Sequence, residues 1–245
     1  MKDKIRPKHV DLGYRRFVKD WIPFIALFLS YEVVYAIEGK ISGVVHIVEP
    51  LDAELRIFGV VPSLVLQQSL RDVFLDYFCG FFYSLHFILP IVFAFMVWRW
   101  RHDNFWKYTT AFAVCNYAAL LTFLVYPTAP PYVGVAGVTR ILLQMDHSLG
   151  VPLYRTIFNI IPSDPFAAFP SLHSAYPWLI SLYAFKIWKR RAWPVLVFPF
   201  GVWFSAVYLG EHYVIDVIGG IAYATCAFIA IEKLIPFLIR HVHKS

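Results

Sequence analysis

The sequence predicts an all-α polytopic membrane protein, a bundle of six transmembrane helices with interfacial helices in the loops of one face. Three observations predict it. Of 245 residues, 59% are hydrophobic and only 16% charged, with a mean hydropathy of +0.60, far from the composition of a soluble domain. Six apolar stretches approach or exceed the roughly 20 residues that cross about 30 Å of hydrocarbon. Lys and Arg alternate between successive loops in the way that fixes membrane orientation.

The first span, 21–37, follows a basic segment, and Tyr31-Glu32-Val33-Val34-Tyr35 offers no small-residue cleavage site, so it reads as an anchor and not as a removable signal. Spans at 74–98 and 105–126 follow, then 171–188, 193–209 and 213–236. The long loops 38–73 and 127–170 remain rich in apolar residues. Within the second, 138–147 and 153–161 mix apolar residues with Arg140, Gln144 and Arg155, the pattern of short helices lying in the headgroup layer, where they could shape a lipid entrance. No repeat or flexible linker divides the chain, so residues 1–245 read as a single membrane domain.

Residues 1–20 carry seven of the 22 Lys and Arg, and the turns after the second and fourth spans together with the tail bring this side to seventeen. Both termini are therefore expected in the cytoplasm, and loops 38–73, 127–170 and 209–212 on the extracytoplasmic face. The short, loop-poor chain suits a prokaryotic plasma membrane. The net charge of +6 is a topology signal of these cytoplasmic segments, and its residues are not interleaved as a nucleic-acid groove requires, which excludes nucleic acid as a partner. Cys79, Cys115 and Cys226 fall inside predicted spans without close spacing, suggesting neither a disulfide framework nor a thiolate metal site.

Two polar islands interrupt the apolar sequence, Phe169-Pro170-Ser171-Leu172-His173-Ser174 and the segment from Tyr208 to Asp216 that holds Glu211 and His212. Ionisable groups inside a bilayer are costly and persist there mainly for function. Pro170 near a first turn, with Ser171 as cap, marks a helix start. Such a start suits a phosphate, because its N–H groups and positive dipole end point outward. His173, one turn in, would stand beside that phosphate as a proton donor. His212 and Asp216, four residues apart, share one face of a helix. A carboxylate that accepts one ring N–H leaves the other nitrogen's lone pair free to attack phosphorus, giving a phosphohistidine that passes the phosphoryl group to water or to an alcohol. Two histidines and an aspartate could also ligate zinc, but no His-Glu-x-x-His or Cys pair accompanies them, so no metal and no cofactor is expected.

Other polar residues take secondary roles. His86, in the middle of the second span, either lines a cavity or bonds a neighbouring carbonyl. Asp72 and Asp76 sit at the outer mouth of that span, where Asp76 could accept hydrogen bonds from a hydroxyl-rich head group. Tyr126, Tyr132 and Tyr208 fit an interfacial aromatic belt, and Gly219 with Gly220 permits close helix packing.

The pattern Pro170-Ser171-x-His173, then Ser205 and His212-x-x-x-Asp216, resembles the second and third signature blocks of the type 2 phosphatidic acid phosphatase superfamily. Over roughly 74–225, four segments resemble its fungal inositol phosphorylceramide synthase branch in the same order: Ser84-Leu85-His86-Phe87-Ile88-Leu89-Pro90, Tyr126-Pro127-Thr128-Ala129-Pro130-Pro131, Ala168 to Ser174, and Tyr208 to Gly220. The resemblance implies a six-helix bundle, metal-independent phosphoryl transfer on the outer face, His212 as nucleophile oriented by Asp216, and His173 as acid for the leaving alcohol. Its substrates, and the chain's partners, would be membrane lipids. The hydrolytic branch carries a Lys and an Arg in its first block and an Arg after the serine of its third. Here that last position is Ala206, and Pro127 to Pro131 contain no basic residue.

Without those cations a phosphodiester fits better than a more highly charged monoester. The expected function is therefore transfer of a phosphoinositol-like head group from a phospholipid to a lipid alcohol. The alternative is a lipid phosphate or polyprenyl diphosphate phosphatase. A transporter with a His/Asp proton relay is a remote third reading, unsupported by any inverted repeat. Arg140 and Arg155 are expected to replace the missing cations. Ser171, Pro170, Tyr126, Asp76, His86 and Glu211, which stands where the fungal enzyme has a second histidine, complete the expected substrate-binding set. The sequence does not fix the oligomeric state.

Overall fold

The computed structural model describes residues 13–38, 43–160 and 165–237, which are helical apart from turns and a few short extended segments. In chain order the helices are α1 (Tyr14–Glu38), α2 (Val48–Phe58), α3 (Pro62–Leu70), α4 (Val73–Trp100), α5 (Phe105–Val125), α6 (Pro131–Gly134), α7 (Ile141–Leu149), α8 (Leu153–Ile160), α9 (Leu172–Trp188), α10 (Val197–Tyr208) and α11 (Val214–Ile229). The starts follow local chemistry. The Asp72 carboxylate accepts the Phe74 N–H at 2.8 Å to open α4, and Ser171 caps α9 by accepting from the Ser174 N–H at 3.3 Å. Asp146 accepts the Tyr154 and Arg155 N–H groups at 2.8 and 2.9 Å and opens α8.

Among the described residues, three helical segments, Val73–Trp100, His102–Val125 and Val214–Phe237, are long and apolar enough to cross a membrane. The other three expected spans look different. Helix α1 has 25 residues but its sequence includes Glu32 and Glu38 in its C-terminal part. Helix α9 has 17 residues and α10 only 12, about 25 and 18 Å of helix at 1.5 Å per residue, short of the hydrocarbon thickness. The expected span 193–209 begins late because Lys189–Leu196 forms a 3₁₀ turn that includes Pro194. The loop expected at 38–73 folds, where described, into α2 and α3, and the piece expected at 138–147 becomes α7, ending in the left-handed Gly150 at φ 68°.

The core is an aromatic-rich seam shared by α1, α4, α5, α9 and α11, including Trp21, Phe24, Phe93, Trp98, Phe105, Phe112 and Tyr183. At one end of α1, Asp20 accepts from the Trp98 indole N–H at 3.0 Å and lies 2.7 Å from His102 Nε2, tying α1 to the α4–α5 turn. At the opposite end of the bundle, three extended segments lie side by side. The His46 and Thr128 strands exchange bonds (Ala129 N–H to His46 O, 2.9 Å), and Thr128 pairs onward with 166–168 (Ala168 N–H to Thr128 O, 3.2 Å).

The most extensive helix contact joins α9 to α11. Gly220 makes it possible, because a Cβ there would stand 2.1 Å from the Ser171 carbonyl oxygen. The close packing expected of Gly219 and Gly220 is thus where α11 meets the start of α9, and the Ser171 N–H donates to the Asp216 carbonyl at 3.0 Å across it.

Candidate active site

That junction places both polar islands together. His173 lies in the first turn of α9, and His212 sits in the turn between α10 and α11. Gly210, at φ 79°, lets the chain reverse there, and a Cβ at that position would meet the Thr139 carbonyl oxygen at 2.9 Å. The His212 and Glu211 N–H groups both donate to the Ala206 carbonyl, at 3.1 and 3.2 Å, which fixes the turn.

The His212 ring is held at both nitrogens. Nδ1 lies 3.0 Å from the Ala168 carbonyl oxygen, and a carbonyl only accepts, so Nδ1 carries a proton and donates it. In the neutral ring Nε2 then keeps its lone pair, and it accepts from His173 Nδ1 at 3.1 Å. His173 in turn stacks on Tyr83, with centroids 4.1 Å apart and planes at 16°. His86 packs against His173 with ring centroids 3.7 Å apart and donates from Nδ1 to the Tyr83 carbonyl at 2.7 Å. Both behaviours expected of His86, lining the cavity and bonding a neighbouring carbonyl, occur together. Pro90 and Pro177 each stand four residues after one of these histidines, so the His86 and His173 carbonyls lack their usual helical donors.

Asp216 takes a different position from the one its spacing suggested. Helix α11 begins at Val214, so His212 precedes it and shares no helix face with Asp216. Asp216 Oδ2 accepts the Tyr213 N–H at 2.8 Å and stands 3.7 Å from His212 Nδ1, ion-pair and not hydrogen-bond distance. The acceptor that fixes the ring is the backbone of Ala168. Asp216 Oδ1 is buried without a hydrogen-bond partner among the described residues.

The histidines stand at one end of a cavity of about 430 Å³ that runs between α1, α4, α5 and α9. Arg140 and Glu211 line it too, paired two-pronged at 2.8 and 3.2 Å, with the guanidinium over the Phe158 and Tyr132 rings at 4.1 and 4.6 Å. Burial works against the Arg140 charge, but the adjacent Glu211 carboxylate outweighs it and raises the pKa above the ordinary guanidinium range. Gln67 on α3 anchors the loop before Arg140, donating to the Thr139 and Tyr208 carbonyls at 3.0 and 2.9 Å and accepting the Thr139 N–H at 2.9 Å.

The cavity therefore gathers His212, His173, His86, Arg140 and Glu211, and the other expected residues lie off its lining. Ser171 and Pro170 are buried in the helix start they build. Asp76 accepts from the Tyr208 hydroxyl at 2.6 Å and pairs with Arg71 at 3.7 Å. Tyr126 stacks on His46 with centroids 4.0 Å apart. Arg155 is exposed on α8, contributing its backbone N–H to Asp146.

Tyr83 and Glu54 were missed in the sequence. Tyr83 could have been found, since it stands one helical turn before His86. Glu54 carried no such signal: it reaches from α2 to accept the Val214 and Ile215 N–H groups at 3.1 and 3.3 Å, an anion at the start of α11.

A family model described as the PAP2 superfamily matches residues 51–230, which include the whole site. The chain belongs to the PAP2 superfamily. Among PAP2-type relatives, the phosphoinositol dihydroceramide synthase of Bacteroides thetaiotaomicron is 25% identical over 90% of this chain and 78% of its own length. The inositol phosphorylceramide synthase of Candida albicans is 29% identical over 56% of this chain but 31% of its own length. Undecaprenyl-diphosphatase BcrC of Bacillus subtilis is 26% identical over 50% of this chain and 69% of its own. No solved structure matches the chain significantly. This PAP2 protein is thus similar to synthases that carry a sphingolipid name and to a diphosphatase.

Proposed function

We propose that the protein is a six-span lipid phosphotransferase of a prokaryotic plasma membrane, with cytoplasmic termini and its site on the extracytoplasmic face. It moves a phosphoinositol-like head group from a phospholipid to a lipid alcohol. The observation that carries this reading is the meeting of His212, His173 and His86 at the end of a largely apolar cavity.

His212 Nε2 attacks phosphorus, the bond from phosphorus to the diacylglycerol oxygen breaks, and that oxygen leaves with a proton from His173. His173 then removes the proton of the acceptor hydroxyl. The new oxygen–phosphorus bond forms as the nitrogen–phosphorus bond breaks, restoring His212. A phosphorus atom cannot enter the 3.1 Å gap between the rings, and in-line displacement puts the leaving oxygen opposite the nucleophile. His173 therefore withdraws when substrate binds. Asp216, at ion-pair distance, stabilises the charge that His212 gains on phosphorylation.

Charge favours a diester. Among the described residues that line the cavity, Arg140 is the one Lys or Arg, and Glu211 already neutralises it. A monoester dianion would find no free cation there. The second reading, hydrolysis of a polyprenyl diphosphate, draws support from the likeness to BcrC.

The test is product analysis after purified protein meets labelled phosphatidylinositol, with and without an added lipid alcohol, and separately phosphatidic acid. Head-group transfer to the added alcohol is expected. Inorganic phosphate released from phosphatidic acid, with no transfer, would replace the first reading by the second.

A further inference from the structure

One donor beside the histidines has nothing to donate to. Tyr83 lies on α4, about one turn before His86, and its buried side chain lines the cavity. Its ring stacks on His173 with centroids 4.1 Å apart, and its hydroxyl oxygen lies 3.4 Å from His173 Nδ1. That nitrogen already carries the proton that His212 Nε2 accepts at 3.1 Å. Toward it the Tyr83 oxygen can only accept, and the contact is longer than a good N–H···O bond. The Tyr83 O–H proton is therefore left over, and no acceptor for it stands among the described residues.

Other donors on the cavity wall are committed. Arg140 is held by Glu211 through both prongs, the Tyr176 hydroxyl donates to Asn116 Oδ1, and His86 and His212 each give their Nδ1 proton to a main-chain carbonyl. Among the described residues, Tyr83 is the tyrosine whose hydroxyl touches His173 or His212.

Its position suits the reacting phosphorus. When His173 withdraws, the point that its Nδ1 leaves is 3.1 Å from His212 Nε2 and 3.4 Å from the Tyr83 oxygen. The first separation is that of a nucleophile poised to attack, about 3 to 3.5 Å. The second lets an oxygen borne on that phosphorus accept from the Tyr83 hydroxyl. Tyr83 also keeps its place as His173 moves, because His86 bonds its carbonyl at 2.7 Å and packs near its ring at 5.6 Å. Charge gathers on the non-bridging oxygens as the new bond forms, and a fixed neutral donor stabilises it without adding net charge to the site.

We propose that the Tyr83 hydroxyl is a further catalytic group, a donor to a non-bridging phosphoryl oxygen of the lipid phosphodiester that does the work of a free cation. It keeps its proton throughout. This inference rests on the transferase reading for its substrate and on His212 as the nucleophile.

Tyr83→Phe keeps the ring and its stack and removes a hydroxyl that strands no partner, so the variant should fold. With labelled phosphatidylinositol and an added lipid alcohol, its kcat should fall by about 10² to 10³, the usual worth of one such donor, while KM changes little. A second readout is one that a merely structural hydroxyl would not move. Two phosphorothioate forms of the donor lipid carry sulfur, a weaker acceptor, in place of one or the other non-bridging oxygen. Wild type should use the form whose oxygen faces Tyr83 about tenfold faster or more, the worth of a hydrogen bond to a charged group, and Tyr83→Phe should bring the two rates together.

Wild-type kcat in Tyr83→Phe overturns the proposal, as does a ratio between the two forms that the substitution leaves unchanged. If Tyr83→Phe does not fold, equal use of the two forms by wild type overturns it. Wild type that transfers no head group from phosphatidylinositol overturns the transferase reading instead, and the Tyr83 donor is then judged by the same substitution in phosphate release from a polyprenyl diphosphate.

Discussion

Replacing Gly220 by alanine tests how tightly the α9–α11 junction controls the chemistry. The new Cβ would lie 2.1 Å from the Ser171 carbonyl oxygen and 3.1 Å from the Ser174 Cβ. A carbon and a carbonyl oxygen settle at about 3.3 Å or more, so the two backbones must part by about 1.2 Å. The obstacle is backbone, which cannot rotate away as a side chain would. Separation on that scale breaks the 3.0 Å bond from Ser171 N–H to the Asp216 carbonyl and carries His173 away from His212. Overpacking of this kind costs about 1 to 3 kcal/mol, and a displacement of about 1 Å at a reacting centre lowers the rate by about a hundredfold. Head-group transfer and thermal unfolding in detergent should be measured for Gly220→Ala beside Gly43→Ala, whose Cβ would meet nothing within 4 Å. Gly220→Ala should lose both stability and turnover and Gly43→Ala neither. A Gly220→Ala protein with wild-type turnover would refute the idea that this crossing sets the histidine geometry.

His212→Ala should abolish turnover, and His173→Ala should lower it by about 10² to 10⁴, the usual worth of a positioned acid; product formation by purified, folded variants checks both, and full activity in either removes that residue from the mechanism. Arg140→Ala should destabilise the fold by about 3 to 5 kcal/mol, because it strands the buried Glu211 carboxylate; adding Glu211→Gln should restore much of the unfolding temperature. Burial raises the Glu54 carboxyl above its ordinary 4.5, against the lowering effect of the Val214 and Ile215 N–H groups. The folded state therefore binds a proton that the unfolded state has released, and this contribution to stability is lost as pH climbs from 4.5 through the folded value. Unfolding measured across that window should show the slope in wild type and not in Glu54→Gln.

Helix content was legible because apolar runs and their Pro, Ser and Asp starts are local features, and α4, α5 and α9 emerged near their expected bounds. The histidines were legible for a different reason: an ionisable group is conspicuous in an apolar sequence. The shared helix face expected of His212 and Asp216 does not form, since a spacing of four implies one only if both residues are helical, and α11 starts two residues after His212. The acceptor that holds the His212 ring is a main-chain oxygen, Ala168 O, and no side-chain pattern announces one. Arg155 and Arg140 looked equivalent in sequence, but only Arg140 has Glu211 opposite it and Gln67 behind its loop.

The sequence by itself determined a helical, membrane-directed chain with a charge asymmetry and two polar islands, because hydropathy and charge act residue by residue. Only the tertiary structure decided which groups meet. The His212–His173 contact spans 39 residues, the Gln67 bond to the Tyr208 carbonyl 141 and the Glu54 bonds to α11 at least 160. Such contacts depend on how closely helices approach, and here that distance is set by Gly220 lying against the Ser171 backbone.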